Sequence, residues 1–202
     1  MFPSRLVSIL GGGVGLENTY SLDFDGTNDY VSIADDNSLD LTGDMTLSAW
    51  IKYDTVSAGH EGIITKTNDG GVGYGLSMRS DGKARFFPLG YNTDEAETGS
   101  ALSSGTWYHI VGVHDNSANT SKIYVDGVLS ATATSASPHT ANTDPLEIGR
   151  MFLADGNVFD GNIDEVAIWD SALSAGSISN IYNNGVPTDL LADSNSANLQ
   201  GW

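Results

Sequence analysis

Punctuation constrains this chain more than any single motif. Eleven runs of four to nine residues, β-branched, aromatic or alternating apolar with polar, are separated by clusters of Gly, Asp, Asn and Ser. They are Tyr20 to Phe24, Tyr30 to Ile33, Met45 to Lys52, Gly62 to Lys66, Tyr74 to Arg79, Ala84 to Leu89, Thr106 to His114, Ser121 to Val125, Val128 to Thr134, Pro145 to Gly149 and Asn162 to Trp169. Runs of this length read as strands, and many short strands with turns between them predict an all-β sandwich. Asp126-Gly127 between SKIYV and VLSAT suits a type I′ turn, which needs positive φ at both central residues, and Ser80-Asp81-Gly82 marks a second hairpin. One segment, SAGSISNIYNNG, reads as helix: Ser174 can cap it, Ile178, Ile181 and Tyr182 repeat at helical spacing, and Gly185 can stop it. Such a short helix is expected to plug one end of the sandwich.

Charge narrows the partners. Asp and Glu number 26 against 8 Lys and Arg, a formal charge of -18, so a phosphate backbone is repelled and nucleic acid is excluded as a partner. The acidity is mainly Asp, which favours turns over helices and supplies oxygen ligands to a hard cation. Cysteine is absent, removing disulfides, thiol catalysis and Cys-based zinc sites together. No span approaches the roughly 18 apolar residues of a membrane helix, so no insertion is expected. The apolar run Leu6 to Leu10 is too short for a signal-peptide core, which suggests a protein made without export.

Three parts follow from this pattern: an N-terminal arm with a Gly-rich hinge over 1–19, a sandwich over 20–185 and a polar tail over 186–202. The apolar Phe2, Leu6, Val7, Ile9 and Leu10 of the arm, and Trp202 at the end, have no obvious partner in a complete sandwich. They are expected to dock on a neighbouring subunit, giving a homo-oligomer or attachment to a major structural protein.

The ordered phrases LDFDGTNDYV, MTLSAWIK, GYGLSM, GTWYHIVGVHD, KIYVDGVL, LEIGR and FDGNIDEVAIWDSALSAGSISNIY resemble the laminin-G-like, concanavalin-A-like jelly-roll domains over about Tyr20 to Tyr182. The resemblance implies two curved antiparallel sheets, often one calcium ion at the rim, and a binding role rather than catalysis. Asp25-Gly26-Thr27-Asn28-Asp29 is then a tight bend bearing oxygens, and the D-G-x-x-D arrangement recurs from Asp160 to Asp164. The resemblance suggests that Asp25 and Asp164 meet at neighbouring strand ends, with Gly26, Asn28 and Asp29 completing a Ca²⁺ site. The alternative is that Asp25 and Asp160 only bond turn amides.

Of the histidines, His60, His109, His114 and His139, the pair His109 and His114 lies five apart on one strand and faces opposite ways. Trp50, Trp107, Tyr108, His109 and Trp169 read as packing residues, while Tyr74, Tyr91 and Trp202 are the aromatics considered for stacking on sugar rings; a carbohydrate site is otherwise not localised. Laminarinase-type hydrolases share the sandwich and carry Glu-x-Asp-x-Glu on one strand. Here Asn162-x-Asp164-x-Val166 stands there, and strand alternation turns Glu165 away from Asp164, so no catalysis is expected. The leading expectation is a structural protein of a bacteriophage virion, on capsid or tail, with the sandwich serving assembly or adhesion to a surface polysaccharide. The alternative is an exported, extracellular carbohydrate-binding or adhesion module of a bacterium.

Overall fold

The computed structural model describes residues 20–57, 59–67, 72–90, 95–134, 140–151, 157–192 and 194–201. In chain order the elements are β1 Leu22–Asp25, β2 Val31–Ile33, β3 Met45–Tyr53, β4 His60–Thr67, β5 Gly73–Arg79, β6 Ala84–Phe87, β7 Ala96–Glu97, β8 Tyr108–Asp115, β9 Thr120–Val125, β10 Val128–Thr134, β11 Leu146–Ile148, β12 Asp160–Trp169, the helix α1 Ala175–Tyr182 and β13 Leu199–Gly201. All pairings are antiparallel. One sheet has the order β1-β12-β3-β8-β9-β10, with β13 added to the far half of β12, and the other runs β2-β11-β4-β5-β6-β7.

Alternation decides which side chains meet between the sheets. From the first sheet Leu47, Ala49, Ile51, Ile110, Ile123 and Ile163 point inward; from the second Leu76, Met78, Phe86, Leu146 and Ile148 answer them. The sheets approach closely where Phe86 lies on Gly112. A Cβ at position 112 would stand 2.3 Å from the Phe86 ring, so this strand position takes only glycine without a shift.

The predicted hairpin at Asp126-Gly127 forms, with φ of 50° and 75°. Ser174 caps α1 by accepting a hydrogen bond from the Ser177 N–H, but the helix stops at Asn183, in the left-handed region at φ 47°, before Gly185 is reached. Asn tolerates that conformation because its short polar side chain bonds locally. Two strands escape the sequence pattern: β7 has two residues and β13 lies in the polar tail, so the sandwich extends to Gly201 rather than ending at 185. No described helix is long and apolar enough to cross a membrane.

The helix is not an end plug. Ile178 and Ile181 pack with Val111, Val113, Tyr124, Ala167 and Trp169 on the outer face of the first sheet, joined by Leu173 and Leu190. The outer face of the second sheet is closed differently, by charge. Arg85 is fully buried, donating from Nε to Ser77 Oγ at 2.8 Å and from Nη1 to Glu95 at 2.8 Å, and Arg150 is paired with Glu147. At the end of that sheet the buried Lys66 ammonium reaches Asp35 at 2.6 Å and the carbonyls of Asn142 and Asp144.

Candidate functional site

Register lays out the outer face of the first sheet as rows of side chains. Residues directly opposite on antiparallel strands hold their Cβ atoms about 5 Å apart, so each row is a contact path across the sheet. Ala167, Ser48, Val111 and Tyr124 make one row, and Trp169, Thr46, Val113 and Lys122 make the next; these lie beneath α1. The two rows towards the other end are Asp164, Trp50 and His109, then Asp23, Asn162 and Lys52, with Trp107 one residue before β8. Apolar outer residues thus recruit the helix over half the face. The polar and aromatic half stays open.

That half is a cleft of about 410 Å³ lined by Tyr20, Ser21, Trp50, Lys52, Trp107, Asn162 and Asp164, with Gly185 and Pro187 of the segment after α1 as one wall. Trp107 is 38% exposed and Tyr20 86%. Lys52 Nζ lies 5.6 Å from the Trp107 ring centroid, in cation–π range, and Asn162 Nδ2 donates to Asp23 Oδ1 at 3.0 Å. Trp50 is held by a ring cluster: it stacks on Tyr182 of α1 at 5.8 Å between centroids and lies 5.2 Å from His109. His109 is buried, with Nε2 2.8 Å from Ser48 Oγ, and burial pulls its pKa down to about 4, so it is neutral at physiological pH.

A bulge shapes the floor. Asp164 opposes Trp50 and Ala167 opposes Ser48, leaving one extra residue on β12, and Glu165 takes φ 46° there. The bulge overrides the expected alternation. Glu165 faces outward like Asp164, into a recess of about 10 Å³ beside Ser48, Trp50, His109 and Pro187.

The calcium set expected from sequence is not assembled. Asp25 stands opposite Asp160, while Asp164 lies four residues further along β12, about 13 Å at strand rise. The pairing direction of β1 and β12 therefore separates Asp164 from Asp25. Asp25 Oδ1 accepts from the Thr27 N–H at 2.9 Å and the Asn28 N–H at 3.4 Å, Asp29 Oδ2 accepts from the Asp25 N–H at 3.3 Å, and Asp160 Oδ2 accepts from Thr55 Oγ1 at 2.5 Å. Gly26, at φ 68°, packs its backbone on Asp160. This is an Asx turn, and among the described residues no three acidic or histidine side chains converge to hold a metal. Asp25, Gly26, Asn28 and Asp29 thus share one turn, and Asp164 stands apart from them.

Other expectations divide. His109 and His114 do face opposite ways: His109 Nε2 lies beside Ser48 Oγ on the outer face, whereas His114 pairs in register with Met45 of the core. Tyr74 is buried and donates from its hydroxyl to the Leu39 carbonyl at 2.9 Å, so it offers no face to a sugar. Trp169 is core, as expected. Trp107, expected to pack, is instead a cleft residue, because it precedes β8 at the open end of the face. Tyr91, His139, Trp202 and the arm residues Phe2, Leu6, Val7, Ile9 and Leu10 lie outside the described residues.

Fold and cleft together define an antiparallel two-sheet sandwich that presents an open aromatic surface on one sheet. The family model described as concanavalin A-like lectin/glucanases superfamily matches residues 25–179, and the chain belongs to that superfamily. Among solved structures it is similar to a putative carbohydrate binding protein from Bacteroides ovatus, with 18% identity and a TM-score of 0.66, over 89% of this chain and 51% of that one. It thus spans about half that protein's length. It is also similar to domain 4 of AbnA, a GH43 extracellular arabinanase from Geobacillus stearothermophilus, in complex with arabinotriose (16% identity, TM-score 0.63, 85% of this chain and 82% of that one). A third is the CBM40 of the Ruminococcus gnavus IT-sialidase bound to alpha2,3 sialyllactose (13% identity, TM-score 0.63, 80% and 96%). At these identities the likeness is one of fold. No curated protein sequence matches the chain.

Proposed function

We propose that this domain binds carbohydrate without catalysis, in the cleft of Tyr20, Trp50, Lys52, Trp107, Asn162 and Asp164. The observation that carries the reading is the half-exposed Trp107 beside Trp50, with amide, carboxylate and ammonium groups within the same two rows. A sugar ring buries its C–H face on an indole while its hydroxyls, which donate and accept, need such groups around the rim. The neighbours named above, one holding arabinotriose and one sialyllactose, support a glycan ligand and an extracellular setting.

Glycoside hydrolysis asks for two carboxyl groups facing one bond, about 5 to 9.5 Å apart depending on mechanism. Asp164 borders the cleft; Glu165 borders the adjoining recess, which is too small for a sugar, and Asp23 stands behind the cleft wall, bonded by the Asn162 amide. With Asp164 the one carboxylate among the described lining residues, the arrangement supports binding over hydrolysis. The virion reading rests on the short start and the Gly-rich hinge, which lie outside the described residues; the proteins named above favour the module reading.

The test is calorimetric titration with a panel of oligosaccharides. Trp107→Ala is expected to weaken the best ligand at least tenfold while the melting temperature holds. Undiminished binding by that variant would move the site elsewhere.

A further inference from the structure

Resting on the carbohydrate reading, we infer that the cleft selects uncharged glycans and discriminates against acidic ones, sialylated or uronic. A glycan carboxylate is recognised by a fixed cation, best by the planar fork of arginine, which meets both oxygens at once. The described arginines are all committed on the second sheet: Arg79 pairs with Glu97, Arg85 with Glu95 and Arg150 with Glu147. Lys66 is buried against Asp35 and Asp40, Lys83 belongs to the hairpin between β5 and β6, and Lys122 lies in a row beneath α1. Among the described residues this leaves Lys52 as the one cation of the cleft, and its ammonium rests over the Trp107 ring, on the platform a sugar would cover.

The anions are better represented. Asp164 lines the cleft and Asp23 adjoins it through the Asn162 amide. A carboxylate ligand entering there meets two like charges and one shared lysine, in a protein whose formal charge is -18. Hydroxyl groups meet no such penalty. Lys52 donates, Asp164 accepts and Asn162 can do both, the mixed set that uncharged sugar hydroxyls match.

The intact chain is titrated with uncharged gluco-, xylo-, manno- and arabino-oligosaccharides and, in parallel, with sialylated and uronate oligosaccharides, at about 20 mM and about 200 mM salt, which shortens the screening length from roughly 20 Å to under 10 Å. The expected result is binding of at least one uncharged glycan, at least tenfold tighter than any acidic glycan and unchanged between the two salts. An acidic glycan bound as tightly, weakening as salt rises, overturns the inference and leaves the carbohydrate reading standing. Binding of neither class overturns both.

Discussion

Acidification should loosen this fold through His109, and the size of the effect follows from its surroundings. Burial between Trp50, Tyr182 and Ser48 holds the imidazole at about 4, against 6.5 when free. Above pH 6.5 the folded and unfolded chains are both neutral at this site and its contribution is fully present. Between 6.5 and about 4 the unfolded chain takes up a proton that the folded chain refuses, so stability falls as pH falls, and below about 4 no further loss accrues. At about 1.4 kcal/mol per pKa unit, the whole window is worth about 3 kcal/mol. For a chain of this size that is a fall of roughly 6 to 12 °C in melting temperature. His60 and His114 are also lowered by burial and push the same way, whereas Glu61 is raised by burial and pushes the other. The measurement is therefore a difference. Urea unfolding of the parent and of His109→Gln is followed from pH 7 to about 4, and the parent should lose about 3 kcal/mol more than the variant. Parallel curves would refute the assignment of a buried neutral imidazole.

Three further outcomes are expected. Gly112→Ala places a methyl into the Phe86 ring and should cost about 1 to 3 kcal/mol in denaturant unfolding, while Gly43→Ala, which meets nothing within 4 Å, serves as the neutral control. Exhaustive chelation should move the melting temperature by less than about 1 °C, because Asp25 Oδ1 is engaged by two backbone N–H groups and Asp164 stands apart from the turn; a bound ion at 100 times its dissociation constant would instead contribute about 2.7 kcal/mol and several degrees. Truncation after Ala192 removes β13 and the contact of Leu199 beneath α1, and thermal melting should register a loss of about 1 to 3 kcal/mol.

The sandwich was legible because its signals are local. Period-2 runs, Asp126-Gly127 and the Ser174 cap each act over a few residues, and each is found where the residues put it. The site was less legible because it depends on register, a relation between strands far apart in sequence. Nothing in DGNIDEV tells which residue faces Trp50, and one bulge at Glu165 cancels the alternation on which the sequence argument about that side chain rested. The expected meeting of Asp25 with Asp164 was illegible for the same reason, since β1 pairs Asp25 with Asp160 and leaves Asp164 to the cleft. One signal was present and unread. From Trp107, just before β8, through β8 itself, the outward positions change from Trp107 and His109 to Val111 and Val113, marking where the open half of the face ends and the covered half begins.

The interleaving of rows has a practical meaning for anyone wishing to retarget this protein. Along β3 and β12 the positions that hold the fold, Ile51 and Ile163, sit next in sequence to positions that line the cleft, Lys52, Asn162 and Asp164. A combinatorial library can vary the second set, with Trp107 and Tyr20, while every core contact is retained. Trp50 is the exception to leave untouched. Its ring is shared between the cleft and the Tyr182 stack, so a library that randomises it would mix changes of ligand with detachment of the helix.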